Sequence, residues 1–366
     1  MKSISRVTRK FIYALLFLAP TSVFSEASDY NMPVGVTEVS KEIFDLHMLI
    51  MWICVWIGVV VFGIMFYSLF KYRKSTGAKA SKIDDHFWLE ITWTVAATLI
   101  LVGMAIPSTT VMIKAYDDRE GDINIMVTGY QWKWQYKYLE DDISFFSNLS
   151  TSQEQIDNDI PKGEFYLSEV DEPLVIPINK RIRFLITGND VIHSWWVPDF
   201  AVKQDAVPGF INTAWTNVPK PGIYRGACTE LCGINHAFMP VVVRAVEQEE
   251  YDAGVVEKIA LAEEEKLLTE KVWTKTELVE RGGGVYLKNC VACHQTNGQG
   301  LPPVFPALAG SEIVMRDKAR NIEILMEGVQ GAAMQSFANQ LSEVDMASVI
   351  TYTRESWGNG LSLIHI

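Results

Sequence analysis

The 366-residue sequence predicts a multidomain membrane protein in three parts: a two-helix transmembrane hairpin, an all-β Greek-key sandwich and an all-α C-terminal domain. Three observations predict this. Met48 to Phe70 and Ile91 to Ile113 carry no charged residue, and each run meets the ~20 residues a helix needs to cross a bilayer. Residues 123 to 246 break into short alternating runs punctuated by Gly, Pro and Asn, as the strands of a sandwich do. From about Thr276 the apolar residues return at helical spacing. The net charge of −12 argues against a nucleic-acid partner and allows a basic protein partner.

Residues 1–25 read as a secretory signal. Lys2, Arg6, Arg9 and Lys10 form its positive start, Phe11 to Val23 its short apolar run, and Val23-Phe24-Ser25 a cleavage site. Residues 26–115 then form the hairpin. Between its spans lie Lys71, Arg73, Lys74, Lys79 and Lys82, opposed only by Asp84 and Asp85. The excess of cations places this loop in the cytoplasm, so everything after about residue 115 lies outside it. Pro107 is tolerable within a membrane helix, and Cys54 is expected to be a buried lipid-side or core thiol. Glu90 opens the second span, where a carboxylate either caps the helix dipole or serves a proton path.

Residues 116–247 form the β domain. Its expected strands are 123–127, 130–138, 174–178, 181–187, 214–218, 222–227 and 241–246, alternating bulky and polar residues. The polar stretch 141–163 reads as an exposed insertion, and Lys203 to Gly209 as a turn ending in Pro-Gly. Gly129 to Tyr138 packs five aromatics into ten residues, mostly as befits a half-buried strand. Residues 248–275 form a charged, solvated helical linker. Residues 276–360 form the last domain, with helices at 276–289 and 342–355. The apolar tail 361–366 follows no pattern.

Four of the five cysteines sit in two short motifs, which is metal or haem usage rather than a disulfide scaffold. In Cys228-Thr-Glu-Leu-Cys232-Gly-Ile-Asn-His236-Ala-Phe-Met239, two thiols, an imidazole and a thioether share one loop. Zinc would accept two Cys and two His, but the thioether favours a copper electron-transfer site. The second thiolate lies at a spacing that lets both sulfurs bridge two coppers. A second His must come from elsewhere, and His193 in Val-Ile-His-Ser-Trp-Trp is the best candidate. The set resembles the binuclear copper (CuA) cupredoxin domain of cytochrome c oxidase subunit II. That resemblance implies His193, Cys228, the carbonyl of Glu230, Cys232, His236 and Met239 as ligands, with magnesium at the subunit I interface through Glu230.

Further positions match the same family. Glu90 in Glu-Ile-Thr-Trp-Thr stands where the family marks the mouth of a proton channel. Trp132 in Gln-Trp-Lys-Trp takes the place of the surface Trp through which electrons come in, with Lys133 where many relatives have an aromatic. Lys203 and Asp205 fall on the segment that faces subunit I. In the last domain, Cys290-Val-Ala-Cys293-His294 is a c-type haem attachment motif, both thiols adding to the haem and the imidazole reaching iron. Met315, Met326, Met334 and Met346 qualify by type as distal ligand. Met334 lies in a Gly-rich loop, whereas Met326 and Met346 fall on helical patterns. The region resembles class I cytochrome c, which implies axial ligands His294 and Met334, with Pro302, Pro303 and Pro306 against the proximal side; Gln335 stands near a proline position of that family.

Taken whole, the chain is similar to subunit II of cytochrome c oxidases carrying a fused cytochrome c. The resemblance implies a bacterial inner-membrane subunit of a proton-pumping oxidase, with copper and haem domains periplasmic. Electrons from cytochrome c would pass by haem c and CuA to subunit I, where O2 becomes water. The six histidines are too few for an oxygen-reducing centre as well. The alternative is the CuA subunit of a nitric-oxide reductase. A soluble nitrous-oxide reductase is disfavoured by the two spans, and a quinol oxidase by the complete copper ligands.

Overall fold

A computed structural model describes residues 30–79 and 85–360. The expected signal (1–25), the loop residues Lys82 and Asp84, and the tail 361–366 lie outside the described residues. The chain divides into two units, one holding most of the membrane segment and one running from Thr110 to the C-terminal end.

In the first unit, α1 (Glu38–Lys71) and α2 (Phe87–Ala115) are helices of 34 and 29 residues with mean hydropathy of 2.7 and 1.9 in their most apolar windows. At 1.5 Å per residue both exceed the roughly 30 Å of a bilayer's hydrocarbon core. Trp52, Trp56, Phe62, Leu99 and Ile106 point outward from them. Cys54, expected to be buried, is exposed on α1 within this chain. Glu90 sits in the first turn of α2, and its carbonyl accepts the Thr94 hydroxyl at 2.9 Å.

The second unit begins with ten strands: β1 (Ile123–Tyr130), β2 (Lys133–Tyr138), β3 (Ile143–Ser147), β4 (Leu174–Pro177), β5 (Ile182–Gly188), β6 (His193–Val197), β7 (Val202–Ala206), β8 (Asn212–Thr216), β9 (Gly222–Cys228) and β10 (Pro240–Val246). They form two five-stranded sheets ordered β3-β2-β1-β5-β8 and β4-β10-β9-β6-β7. Most neighbours are antiparallel; β1–β5 and β4–β10 are parallel. Alternation places Ile182, Phe184 and Ile186 of β5 in the core with Ile125 and Val127 of β1, Trp195 of β6 and Val243 of β10. Trp195 Nε1 donates to the Tyr136 hydroxyl at 3.2 Å, which satisfies a buried donor.

Three expectations need correction, and two concern edge strands. The stretch 141–163 is not simply an exposed insertion, because Ile143–Ser147 pairs with β2 as β3 and lays Phe145 against Tyr136 and Tyr138. Lys203 to Gly209 is not only a turn, because β7 pairs with β6 over Val202–Ala206. An edge strand needs only a few inward residues, here Val202 and Ala206, so its hydrophobic pattern is faint. The expected strand 130–138 is the end of β1 and all of β2, folded as a hairpin about Gln131 and Trp132.

Beyond the sandwich, α4 (Gln248–Leu267) is mostly solvated, yet its Tyr251 is buried against Tyr138; α3 (Gln153–Ile156) is a single turn. The helical region comprises α5 (Lys275–Asn289), α6 (Val291–His294), α7 (Glu312–Arg316), α8 (Lys318–Glu327) and α9 (Glu343–Glu355). Thr274 and Glu277 form a reciprocal capping box at the start of α5, and the Ser342 hydroxyl caps α9. α5 crosses α9 where Gly282 meets the Ser348 carbonyl so closely that an added Cβ would lie 2.0 Å from it.

Candidate copper and haem centres

The copper-ligand loop, 229–239, joins β9 to β10. The β6–β9 pairing sets Trp195 opposite Cys228, bringing the start of β6 beside the loop. Two backbone bonds lock it there: Thr229 N–H to the Ser194 carbonyl and Cys228 N–H to the Met239 carbonyl, both 3.0 Å. The sulfurs of Cys228 and Cys232 come within 3.8 Å and are not joined as a disulfide. His236 Nδ1 lies 3.5 Å from the Cys232 sulfur, and the Glu230 carbonyl accepts from the Cys228 thiol at 3.4 Å. A ring nitrogen of His193 and both sulfurs lie within 4.8 Å of one another. Met239 is buried in the same cluster.

His193 is the most constrained of these. Its Nε2 meets Asp190 Oδ1 at 2.8 Å, and its buried Nδ1 has no hydrogen-bond partner. Asp190 is itself held by the Gln131 N–H at 2.8 Å. Carboxylate orientation of one ring nitrogen with the other left bare is how a metal-ligating histidine is prepared. Gly129 is required here, since a Cβ on it would stand 2.7 Å from the imidazole. Burial opposes charge on His193, but the Asp190 carboxylate bonded to it and the Cys228 sulfur close by together hold its pKa above the ordinary value. The hydrogen bond between the thiols pulls Cys228 well down and pushes Cys232 up. Two thiols, a thioether and an imidazole that are buried, with the half-buried imidazole of His236 and the Glu230 carbonyl beside them, fit soft-ligand copper.

Lys203 and Asp205 are placed apart from this cluster, on the exposed face of β7. The Glu230 side chain is exposed on the ligand loop.

The second centre is a cavity of about 780 Å³ lined by Cys290, Cys293, His294, Phe305, Met334 and Phe337 from the helical region and by Gln131, Trp132 and Lys133 from the sandwich. The single turn α6 carries the attachment motif, with the Cys293 and His294 N–H groups both donating to the Cys290 carbonyl. His294 Nδ1 lies 2.9 Å from the Pro306 carbonyl. A carbonyl only accepts, so Nδ1 carries the proton and Nε2 keeps its lone pair for iron. Burial holds the His294 pKa below the ordinary value, which favours that neutral form. Burial also pushes the Cys290 thiol up to about 12 and that of Cys293 to about 11. Of the methionines among the described residues, Met334 alone lines the cavity. Met326 lies on α8 and Met346 on α9, as their spacing predicts. Two thiols, a bare imidazole nitrogen and a loop thioether around an apolar hollow fit a c-type haem.

The two centres touch. Trp132 Nε1 donates to the Cys232 carbonyl at 3.2 Å, while its ring meets Phe305 edge-on with centroids 6.4 Å apart. Gln335 Nε2 donates to the Gln131 carbonyl, and Asn235 Nδ2 to that of Ala292. Sequence reasoning missed Asp190, Gln131, Asn235, Asn289 and Phe305. Asp190 left one signal, an acid three residues before a ligand His. The others are unremarkable until the chain folds.

Three family profiles match. Residues 25–111 match the transmembrane domain of cytochrome c oxidase subunit II and residues 123–246 its periplasmic domain. Residues 277–352 match the cbb3-type cytochrome c oxidase subunit III family. A probable cytochrome c oxidase subunit 2 of Rickettsia bellii is 38% identical over 61% of this chain and 82% of its own length. The chain belongs to the cytochrome c oxidase subunit II family. Its counterpart in Cereibacter sphaeroides is 36% identical over 60% of this chain and 77% of that protein. The periplasmic domain of subunit II from Bradyrhizobium japonicum is 38% identical over 39% of this chain and 98% of that structure, with a TM-score of 0.36. This subunit II is thus a membrane protein and a component of an oxidoreductase complex. It has two apolar helices, a cupredoxin-like sandwich and a C-terminal cytochrome c domain. An electron-transfer role fits all three parts.

Proposed function

We propose that this subunit II takes electrons from cytochrome c and delivers them to subunit I of a proton-pumping terminal oxidase, where O2 is reduced to water. We take 26–115, 116–247, 248–275 and 276–360 as anchor, copper domain, linker and haem domain of an inner-membrane protein with its redox domains in the periplasm. The observation that carries this reading is Trp132, which bonds to the copper loop and packs on the haem-cavity wall at once. Bound as CuA and haem c, the cofactors would supply one-electron redox chemistry at near-constant nuclear geometry.

The chain's own residues do the rest. Asp190 orients His193, and the strand-locked loop presents Cys228, the Glu230 carbonyl, Cys232, His236 and Met239. The Pro306 carbonyl fixes the His294 tautomer, Cys290 and Cys293 would hold a haem covalently, and His294 and Met334 would ligate its iron. The Glu230 carboxylate is free to join a magnesium site at subunit I, where Lys203 and Asp205 also face. Glu90 marks a proton path at the start of α2. Contact with Phe305 supports the reading that electrons enter through Trp132 from the chain's own haem domain, with the external donor docking on that domain.

The test uses the assembled oxidase with reduced soluble cytochrome c. Trp132→Ala should keep its copper and haem content but slow haem-to-copper transfer more than tenfold. Unchanged transfer would remove Trp132 from the route. Oxygen uptake rather than nitric-oxide consumption by the same complex separates the oxidase from a nitric-oxide reductase.

A further inference from the structure

Lys133 has no part in the ligand sets above, yet it is the most unusual charge in the second unit. It follows Trp132 on β2 and is only 5% exposed. Its ammonium reaches out of the sandwich to Asn289 Oδ1 at 2.7 Å, one residue before the haem-attachment Cys290. The Asn289 amide is oriented for this, because its Nδ2 donates to the Val285 carbonyl at 3.0 Å. The ammonium also lies 4.4 Å from the Phe146 ring centroid and 5.5 Å from that of Phe337, which follows Met334 by three residues. Lys133 lines the cavity together with Asn289, Cys290 and Phe337.

A buried cation normally has a carboxylate partner. Here the hydrogen-bond acceptor is a neutral amide and the other neighbours are aromatic faces. The carboxylates that act on Lys133 from a distance are committed elsewhere, Asp171 to Asn148 and Lys288, and Asp190 to His193 and Gln131. A charge so placed is poorly screened by water and acts strongly on any neighbouring group whose charge changes. Oxidation of a haem adds one positive charge beside it.

We propose that Lys133 is a positioning residue of the haem site, and that its cation, lent by the copper domain, pins the haem domain and raises the reduction potential of the haem. Burial lowers the Lys133 pKa to about 8, which still leaves the ammonium charged at pH 7. A favourable position over aromatic rings helps to offset the cost of burying it. In this chain the haem's driving force therefore depends on a side chain from the neighbouring domain.

The inference rests on haem c being attached at Cys290 and Cys293. Absence of covalent haem in the wild-type chain would end that reading before this one is tested. The experiment is an equilibrium optical redox titration of the haem in the full-length, cofactor-loaded protein at pH 7. Lys133→Met keeps the apolar stem, Lys133→Gln keeps a donor for Asn289, and Lys133→Arg keeps the charge. The two uncharged variants should shift the equilibrium about tenfold toward the oxidised haem, ~59 mV for one electron. Lys133→Arg should stay within about twofold of wild type. Lys137→Met, which removes a half-buried lysine of β2 paired with Asp142, should change nothing. A wild-type potential in Lys133→Met or Lys133→Gln overturns the proposal. It also falls if neither uncharged variant keeps a native haem spectrum, since Lys133 would then be a structural residue only.

Discussion

In the copper domain the donor atoms meet before any metal arrives. Cys228, Cys232, Met239 and His193 are buried among the side chains of a continuous sandwich core, and backbone bonds between strands hold them. In the haem domain the ligands stand around a hollow. Its buried apolar cluster is small, Val285, Tyr286, Leu325, Phe337 and Val349 with half-buried residues packed against them, beside a cavity of about 780 Å³. One centre is a finished core to which a metal would be added, and the other is a core that a haem would complete. A group that binds only the native state stabilises it by mass action, and a covalent one cannot leave. Loss of cofactor should therefore cost the two domains very different amounts.

The largest effect follows directly. With Cys290→Ala and Cys293→Ala together, haem should not be retained, and α5, α8 and α9 should lose amide-exchange protection while β1, β5 and β10 keep theirs. Equal protection of those helices with and without haem would erase the contrast. The reciprocal change is Cys232→Ser. The mixed-valence binuclear copper signal should vanish with one bridging sulfur gone, while the sandwich melts cooperatively at a cost of about 1–2 kcal/mol. Persistence of the binuclear spectrum would show that Cys232 is not a bridge.

Met334→Ala comes next, because it removes one haem ligand without emptying the cavity. The far-red sulfur-to-iron band should bleach and the potential fall by several steps of ~59 mV. Met326→Leu and Met346→Leu should change neither, and loss of the band in either one would move the ligand off the loop. Smaller still are the consecutive glycines of α5. Gly282→Ala drives a methyl into the Ser348 carbonyl and should cost the haem domain about 2–3 kcal/mol. Gly284→Ala, with nothing within 4 Å of the new methyl, should instead stabilise it by ~0.5–1 kcal/mol. Thermal melts of the two variants in the same direction would refute the packing argument.

The smallest effect is in acid. Glu277 is held down at about 2 by its bond with Lys271, then by those with the Thr274 backbone and hydroxyl. A carboxyl whose folded pKa lies below its unfolded one binds more protons when unfolded, so it adds stability above about pH 4.5 that fades as pH falls toward 2. Glu277→Gln should abolish that dependence and shift the acid-unfolding midpoint of α5 slightly. An identical acid profile would mean that the capping box contributes nothing through charge.

The motifs of both candidate centres were legible in the sequence because each is local. Cys228 to Met239 spans one loop, Cys290 to His294 one helical turn, and the two uncharged runs need only length and composition. That Met326 and Met346 lie on helices and Met334 in a loop was legible because helical spacing is itself local. Edge strands β3 and β7 were obscure because their identity depends on the neighbour they pair with. Tertiary structure alone decided that Asp190 would orient His193, that Gln335 would bond to the sandwich, and that Trp132 would touch both the copper loop and Phe305. Tertiary structure also buried Lys133 against Asn289, which lies 156 positions further along the chain. These partners are ordinary residues at ordinary spacings, and their roles arise from contacts that no periodicity encodes. Ligand identity is a property of side chains, but orientation, burial and electrostatic environment are properties of the packing around them.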